Sequence, residues 1–178
     1  MNFVFNEQKA AQVAKYLIHK RQGTMNFGVL LKVMYLADRK ALLDTGYPIT
    51  GDAMISMRNG TLLSRVYDRI KGNFAEPEWA GIQRQGVYDV VAEGEPRTDA
   101  LSRYELAVLD DVFEQYGDKT FFELRGITHN LPEWENPGAS AAPIEPEVIL
   151  KAEGRTEAEI LRMSEDASAA AFMRTLAG

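Results

Sequence analysis

Between residues 6 and 22 the apolar positions Ala10, Val13, Ala14, Leu17 and Ile18 recur every three to four residues, the spacing of one buried helix face. Lys9, Lys15, Lys20 and Arg21 fall largely off that stripe, and Gly23 follows as a stop. Asn26 can cap a second helix running to about residue 44. There Phe27, Leu30, Leu31, Val33, Met34, Leu36 and Ala37 leave little polar face, which predicts the buried centre of the fold. Thr45-Gly46-Tyr47-Pro48 ends it. Loose alternation predicts a short strand over 53–58, then the turn dipeptide Asn59-Gly60. A third helix is predicted over about 62–71, with Gly72 at its C-terminal cap. Residues 82–91 read as a hairpin turning near Gly86.

Three capping boxes follow: Ser102 with Glu105, Thr120 with Glu123, and Thr156 with Glu159. The first opens a helix with the stripe Leu106, Leu109, Val112, Phe113 and Tyr116, closed by Gly117. The second opens a short helix that ends before Pro132. Residues 132–146 hold Pro132, Pro137, Pro143 and Pro146, which predicts a semi-extended linker. The last helix has a thin, Ala-rich stripe of Ile160, Met163, Ala167 and Ala171, so it is either docked or firms up on binding. Together these elements predict an α+β fold, predominantly helical: a helical core, a small antiparallel sheet or hairpin, and a C-terminal helical extension.

Charge adds a second pattern. The 178 residues carry 20 Lys and Arg against 26 Asp and Glu, a net −6. Residues 1–72 hold 11 basic and 5 acidic side chains, a net +6, whereas residues 73–178 carry −12. That split points to a basic face meeting a protein partner, with an acidic tail placed to clamp it or to shield a basic substrate site. The overall sign argues against direct nucleic-acid binding. With no Cys, disulfides, zinc ribbons and thiol nucleophiles are excluded. No apolar run reaches the ~20 residues of a membrane helix, and residues 1–7 lack the pattern of a secretory signal. A soluble cytoplasmic protein is expected.

Candidate chemistry is sparse. His19 lies near a helix end. His129, in Thr128-His129-Asn130-Leu131-Pro132-Glu133-Trp134, either bonds a carbonyl while packing on Trp134 or serves as a base with Asp38 or Asp52. No Gly-x-Ser-x-Gly elbow, phosphate loop, His-Glu-x-x-His helix or Asp-rich cation loop occurs, so no cofactor and no metal is expected. Tyr35 and Asp38 share a face of the most apolar helix, where a buried Asp needs a partner. Arg65 and Arg69 line one side of the third helix. They form either internal salt bridges or a basic patch for an acidic partner or a phosphate.

These residues belong to an ordered set of motifs: Leu31-Lys32-Val33-Met34-Tyr35-Leu36-Ala37-Asp38, Gly46-Tyr47-Pro48-Ile49-Thr50-Gly51-Asp52, Met57-Arg58-Asn59-Gly60, Ser64-Arg65-Val66-Tyr67-Asp68, Leu101-Ser102-Arg103-Tyr104-Glu105, and the stretch from Thr128 to Trp134. In this order they resemble the Panacea domain, the SocA-like antitoxin family. Family members often read Gly-Pro-Val where this chain has Gly60-Thr61-Leu62, and some carry an added DNA-binding module that is not evident here.

The resemblance implies a non-enzymatic antitoxin that neutralises a cognate toxin by direct binding, the toxin being of varied type, small alarmone-synthetase-like translation inhibitors included. It implies a domain over 1–134, a linker over 135–146 and a helical extension over 147–178. A homo-oligomer or a heterotetramer with the toxin is open. Arg58, Asn59, Arg65, Tyr67, Asp68 and Arg69 are the expected toxin-binding residues, together with the C-terminal extension. Tyr35, Asp38, Asp52, Gly60, Ser64, His129 and Trp134 are expected to serve the fold. Two rivals stand beside this reading: an adaptor that delivers a bound toxin to a protease, and a hydrolase using His129.

Overall fold

A computed structural model describes residues 1–177. Helix α1, Glu7–Lys20, starts where the Asn6 side chain accepts the Lys9 N–H at 3.0 Å. Strand β1, Thr24–Asn26, runs straight into α2, Phe27–Thr45, because the Asn26 side chain turns to accept the N–H groups of Gly28 and Val29. Gly46 ends α2 at φ 84°, a left-handed conformation that glycine adopts without strain.

Strand β2, Met54–Met57, forms a hairpin with β3, Gly60–Leu63, pairing Met54 with Leu63 and Met57 with Gly60. Helix α3, Ser64–Lys71, therefore begins two residues later than periodicity predicts. Residues 60–63 are buried on both faces of the strand, so they carry no alternation to mark them. The start of α3 has no side-chain cap of its own. Asp52, twelve residues upstream of Ser64, supplies it: its carboxylate accepts Arg65 N–H at 3.0 Å and Val66 N–H at 2.9 Å.

A 3-10 turn, Pro77–Trp79, buries Trp79 against Phe74. Strands β4, Ile82–Gln85, and β5, Asp89–Ala92, pair antiparallel, and β1 adds to the far edge of β5. Helices α4, Arg103–Tyr116, and α5, Phe121–His129, each open on a reciprocal capping box. Within the Pro-rich stretch, β6, Ala142–Pro143, pairs with β2 and completes a second three-stranded antiparallel sheet in the order β3-β2-β6. Helices α6, Pro146–Ala152, and α7, Glu157–Ala177, close the described chain.

The result is a predominantly helical α+β molecule with two small sheets. Its core is one cluster around α2, where Leu30, Val33, Met34 and Leu42 meet Leu17 and Ile18 of α1, Leu109 of α4, Leu124 of α5, and Ile149 and Leu150 of α6. Ile160 and Met163 of α7 pack on that cluster and Ala167 is buried, while Leu161, Phe172, Met173 and Leu176 are exposed. Among the described residues no helix is long and apolar enough to cross a membrane.

A helix buried nearly all round carries its polar side chains inside, where each requires a partner. Tyr35 OH donates to Glu133 at 2.7 Å. Arg39 holds the same carboxylate with two donors, Nε to Oε1 at 2.7 Å and Nη2 to Oε2 at 3.1 Å. Asp38 accepts Thr50 N–H at 3.0 Å and the Thr50 hydroxyl. Glu133 lies just beyond α5, so this network ties the segment after α5 to the central helix.

A candidate binding groove

The β2–β3 turn is clamped from outside. The ring of His129, the last residue of α5, stacks on Trp134 with centroids 4.0 Å apart and planes at 20°. His129 Nε2 lies 3.1 Å from the Arg58 carbonyl oxygen, and Trp134 Nε1 donates to the Met57 carbonyl at 3.1 Å. Two side chains from the end of α5 and beyond thus hold two consecutive carbonyls of the turn. Gly60 makes the close approach possible. It sits at φ 105°, and a Cβ there would overlap Thr128 Oγ1 and lie 2.7 Å from Lys32 Nζ.

Beside this turn opens a groove of about 560 Å³. Its walls come from the start of α2 (Phe27, Gly28, Leu31, Lys32), the hairpin (Met57, Arg58, Asn59, Leu62), Tyr67 of α3, Tyr88 of the β4–β5 turn, and Phe121 and Phe122 of α5. Phe122 is 75% exposed and Tyr88 66%, so two large rings stand at the rim with little to cover them. Phe121 packs edge-on to Phe122 at 5.6 Å. Tyr67 lies under the Lys71 ammonium, 4.6 Å from its ring centre. The lining holds two cations, Arg58 and Lys32, and no carboxylate.

Lys32 is at the floor. Burial pushes its ammonium down to about 8, and the charge of Arg125 pushes the same way. Burial and the neighbouring Arg125 also lower His129, against the Arg58 carbonyl that favours its proton. Arg125 of α5 thus acts as a neighbouring cation on both Lys32 and His129.

The structure divides the expected toxin-binding set. Arg58, Asn59 and Tyr67 line the groove. Arg65, Asp68 and Arg69 do not. Arg65 and Arg69, four apart on α3, face the beginning of the chain: the Arg65 guanidinium covers Phe5 at 5.4 Å, and Arg69 grips Glu7 with two 2.8 Å bonds and Glu76 at 3.1 Å. Asp68 pairs with Lys71 on the surface at 2.7 Å.

Of the remaining motif residues, Asp38 is fully buried. That burial pushes its carboxyl up to about 7 against the two bonds from Thr50. Asp52 is raised by burial too, despite the backbone N–H groups of Val66, Arg65 and Ala53. Ser64 opens α3 and donates its backbone N–H to Ala53. Neither Asp38 nor Asp52 hydrogen-bonds His129, whose Nε2 is directed at Arg58. Among the described residues no group of three or more acidic or His side chains is placed to hold a metal ion.

Periodicity does not single out Lys32, Tyr88, Phe121 or Phe122 as site residues. The available signals were a cation inside an apolar run and two adjacent aromatics on a short helix, which cannot both face the core.

An interface, rather than a reaction centre, is what this assembly of aromatic rings, Arg58 and a buried Lys offers. No curated protein and no solved structure matches the chain. The family model for the antitoxin SocA-like Panacea domain matches residues 30–135, more than half of the sequence. That span takes in most of α2, the clamped hairpin, α3, both His129 and Trp134, and all of the groove except Asn26, Phe27 and Gly28 at the start of α2. The chain therefore belongs to the SocA-like antitoxin family and contains its Panacea domain.

Proposed function

We propose that this chain is the antitoxin of a toxin–antitoxin pair and that it neutralises its cognate toxin by direct contact, with the groove beside the β2–β3 turn as the contact surface. The observation that carries this reading is the rim. Tyr88 and Phe122 expose large rings beside Arg58 and Tyr67, the residue types that dominate interface energies, around an apolar concavity. The His129–Trp134 clamp sets the shape of that rim by fixing the carbonyls of Met57 and Arg58. A preset turn lowers the ordering cost of association. Binding without catalysis is supported by His129 itself, whose Nε2 bonds a carbonyl and joins neither Asp38 nor Asp52.

Co-expression with the toxin encoded beside this chain tests the proposal. Wild type is expected to restore growth, and the double variant Tyr88→Ala with Phe122→Ala, soluble and equally abundant, is expected not to. Equal rescue by both proteins would remove the groove from the contact. Persistent arrest with abundant wild type would remove neutralisation itself.

A further inference from the structure

Four polar side chains of α2 point into the protein, and three are matched. Tyr35 and Arg39 share Glu133, and Asp38 binds Thr50. Lys32 is the exception. It is 3% exposed, and its ammonium, with three N–H groups to place, has one long contact of 3.5 Å to the Thr61 carbonyl and the face of Phe121 at 5.5 Å. The formal charge that acts on it is another cation, Arg125, whose own Nε is buried without a hydrogen-bond partner. Arg58 stands at the rim above. A buried ammonium without a counter-charge is costly. Here it lines the floor of an open groove rather than a closed core, and Gly60, lacking a Cβ, lets its Nζ approach the turn closely.

We infer that the groove receives an acidic side chain of the toxin, presented between apolar neighbours, and that Lys32 is the group that binds its carboxylate. This rests on the reading of the groove as the toxin contact and specifies its chemistry. A carboxylate suits the floor better than a phosphate. The donors there are one ammonium and a flanking guanidinium among Phe27, Leu31 and Phe121, too few for a phosphate dianion, whereas an Asp or Glu carboxylate is served by one or two. The aromatic walls exclude water and strengthen the pair. Apolar residues on either side of the acid would fill the space between Leu62, Tyr67 and Phe122.

The test uses the purified full-length chain and the toxin encoded beside it. Lys32→Met keeps the length and apolar stem of the side chain and removes the charge. The free variant is expected to unfold at the same temperature or higher, since an unpaired buried charge is gone. Its affinity for the toxin is expected to fall by about 30-fold or more, the loss typical of truncating one partner of a buried charge pair. An acid-to-amide scan of the toxin should then find one Asp or Glu whose replacement gives a similar loss and adds little when combined with Lys32→Met.

Unchanged affinity for Lys32→Met would overturn the inference. If Tyr88→Ala with Phe122→Ala still weakens that complex, the groove remains the contact and only the carboxylate assignment fails. If neither variant changes affinity, the groove reading fails with it. Competition of toxin binding by inorganic phosphate at millimolar concentration, with no single toxin acid coupled to Lys32, would also overturn the inference by identifying a phosphate ligand.

Discussion

Replacing Glu133 by Gln removes the negative charge that two elements share while leaving shape almost unchanged. The wild-type carboxylate is completely buried and accepts three hydrogen bonds, two from Arg39 and one from Tyr35. A Gln amide has one oxygen, so whichever way it turns, one guanidinium donor faces an N–H₂ group. Charge-assisted bonds contribute about 1.5–3 kcal/mol each, and breaking a buried ion pair from one side costs about 3–5 kcal/mol. Arg39 retains Glu153, whose side chain is 41% exposed, and this offsets part of the loss. The low end of the range, about 3 kcal/mol, is the expected cost. In urea, with a slope of about 2 kcal/mol per molar, the midpoint falls by about 1.5 M at unchanged slope.

The effect is also pH-dependent. Burial alone would raise Glu133, but the bonds from Arg39 and Tyr35 outweigh it and hold the carboxyl below its ordinary range. Its contribution is therefore complete above the unfolded value near ~4.3 and is lost as pH falls through the lower folded value. The gap between wild type and Glu133→Gln should narrow accordingly in acid. A midpoint shift under about 0.3 M at pH 7 would refute the reasoning, since it would mean that no matched charge is lost.

Asp38 titrates in the opposite sense. Its folded carboxyl is raised to about 7, so the folded state holds an extra proton and stability falls as pH rises from the unfolded value toward 7. At about 1.4 kcal/mol per pK unit the ceiling is about 4 kcal/mol, and Asp38→Asn should remove that slope in thermal unfolding scans between pH 4.5 and 7.5. Gly60→Ala forces a Cβ into Thr128 and Lys32 at a positive φ and should cost about 2 kcal/mol or more in denaturant unfolding. Arg69→Glu places a third carboxylate beside Glu7 and Glu76 and should lower the unfolding temperature. Arg65→Glu loses the exposed contact with Phe5 and a cation whose charge favours the ionised forms of Glu7 and Asp52, and in the same assay should lower it less than Arg69→Glu, which also breaks two direct ion pairs.

The helices were legible because their signals are local. Asn6, Asn26, Ser102 and Thr120 cap their own first turns, and the stripes that follow face the core. Strands β1 and β6 are not, because two or three residues show no usable period and their partners lie far along the chain, and β3 is hidden because all four of its residues are buried and carry no alternation. The start of α3 carries no local signal either, since its cap comes from Asp52, across the hairpin. At the groove, Arg58, Asn59 and Tyr67 stood out as Arg and Tyr near a turn. Lys32, Tyr88 and Phe122 come from separate segments that only the packing of α2, α5 and the β4–β5 turn brings together. Arg65 and Arg69 show the limit of composition: helical spacing puts them on one face, but that face meets Phe5 and Glu7 of the same chain.

The dissociation constant of this chain for its proposed cognate toxin tests the central claim most directly, measured for wild type and for Tyr88→Ala with Phe122→Ala. Both rings are mostly exposed, so the variant should unfold as wild type does. Loss of two aromatic anchors at about 2 kcal/mol each predicts an affinity lower by roughly three orders of magnitude. Equal constants for the two proteins would contradict neutralisation through this groove.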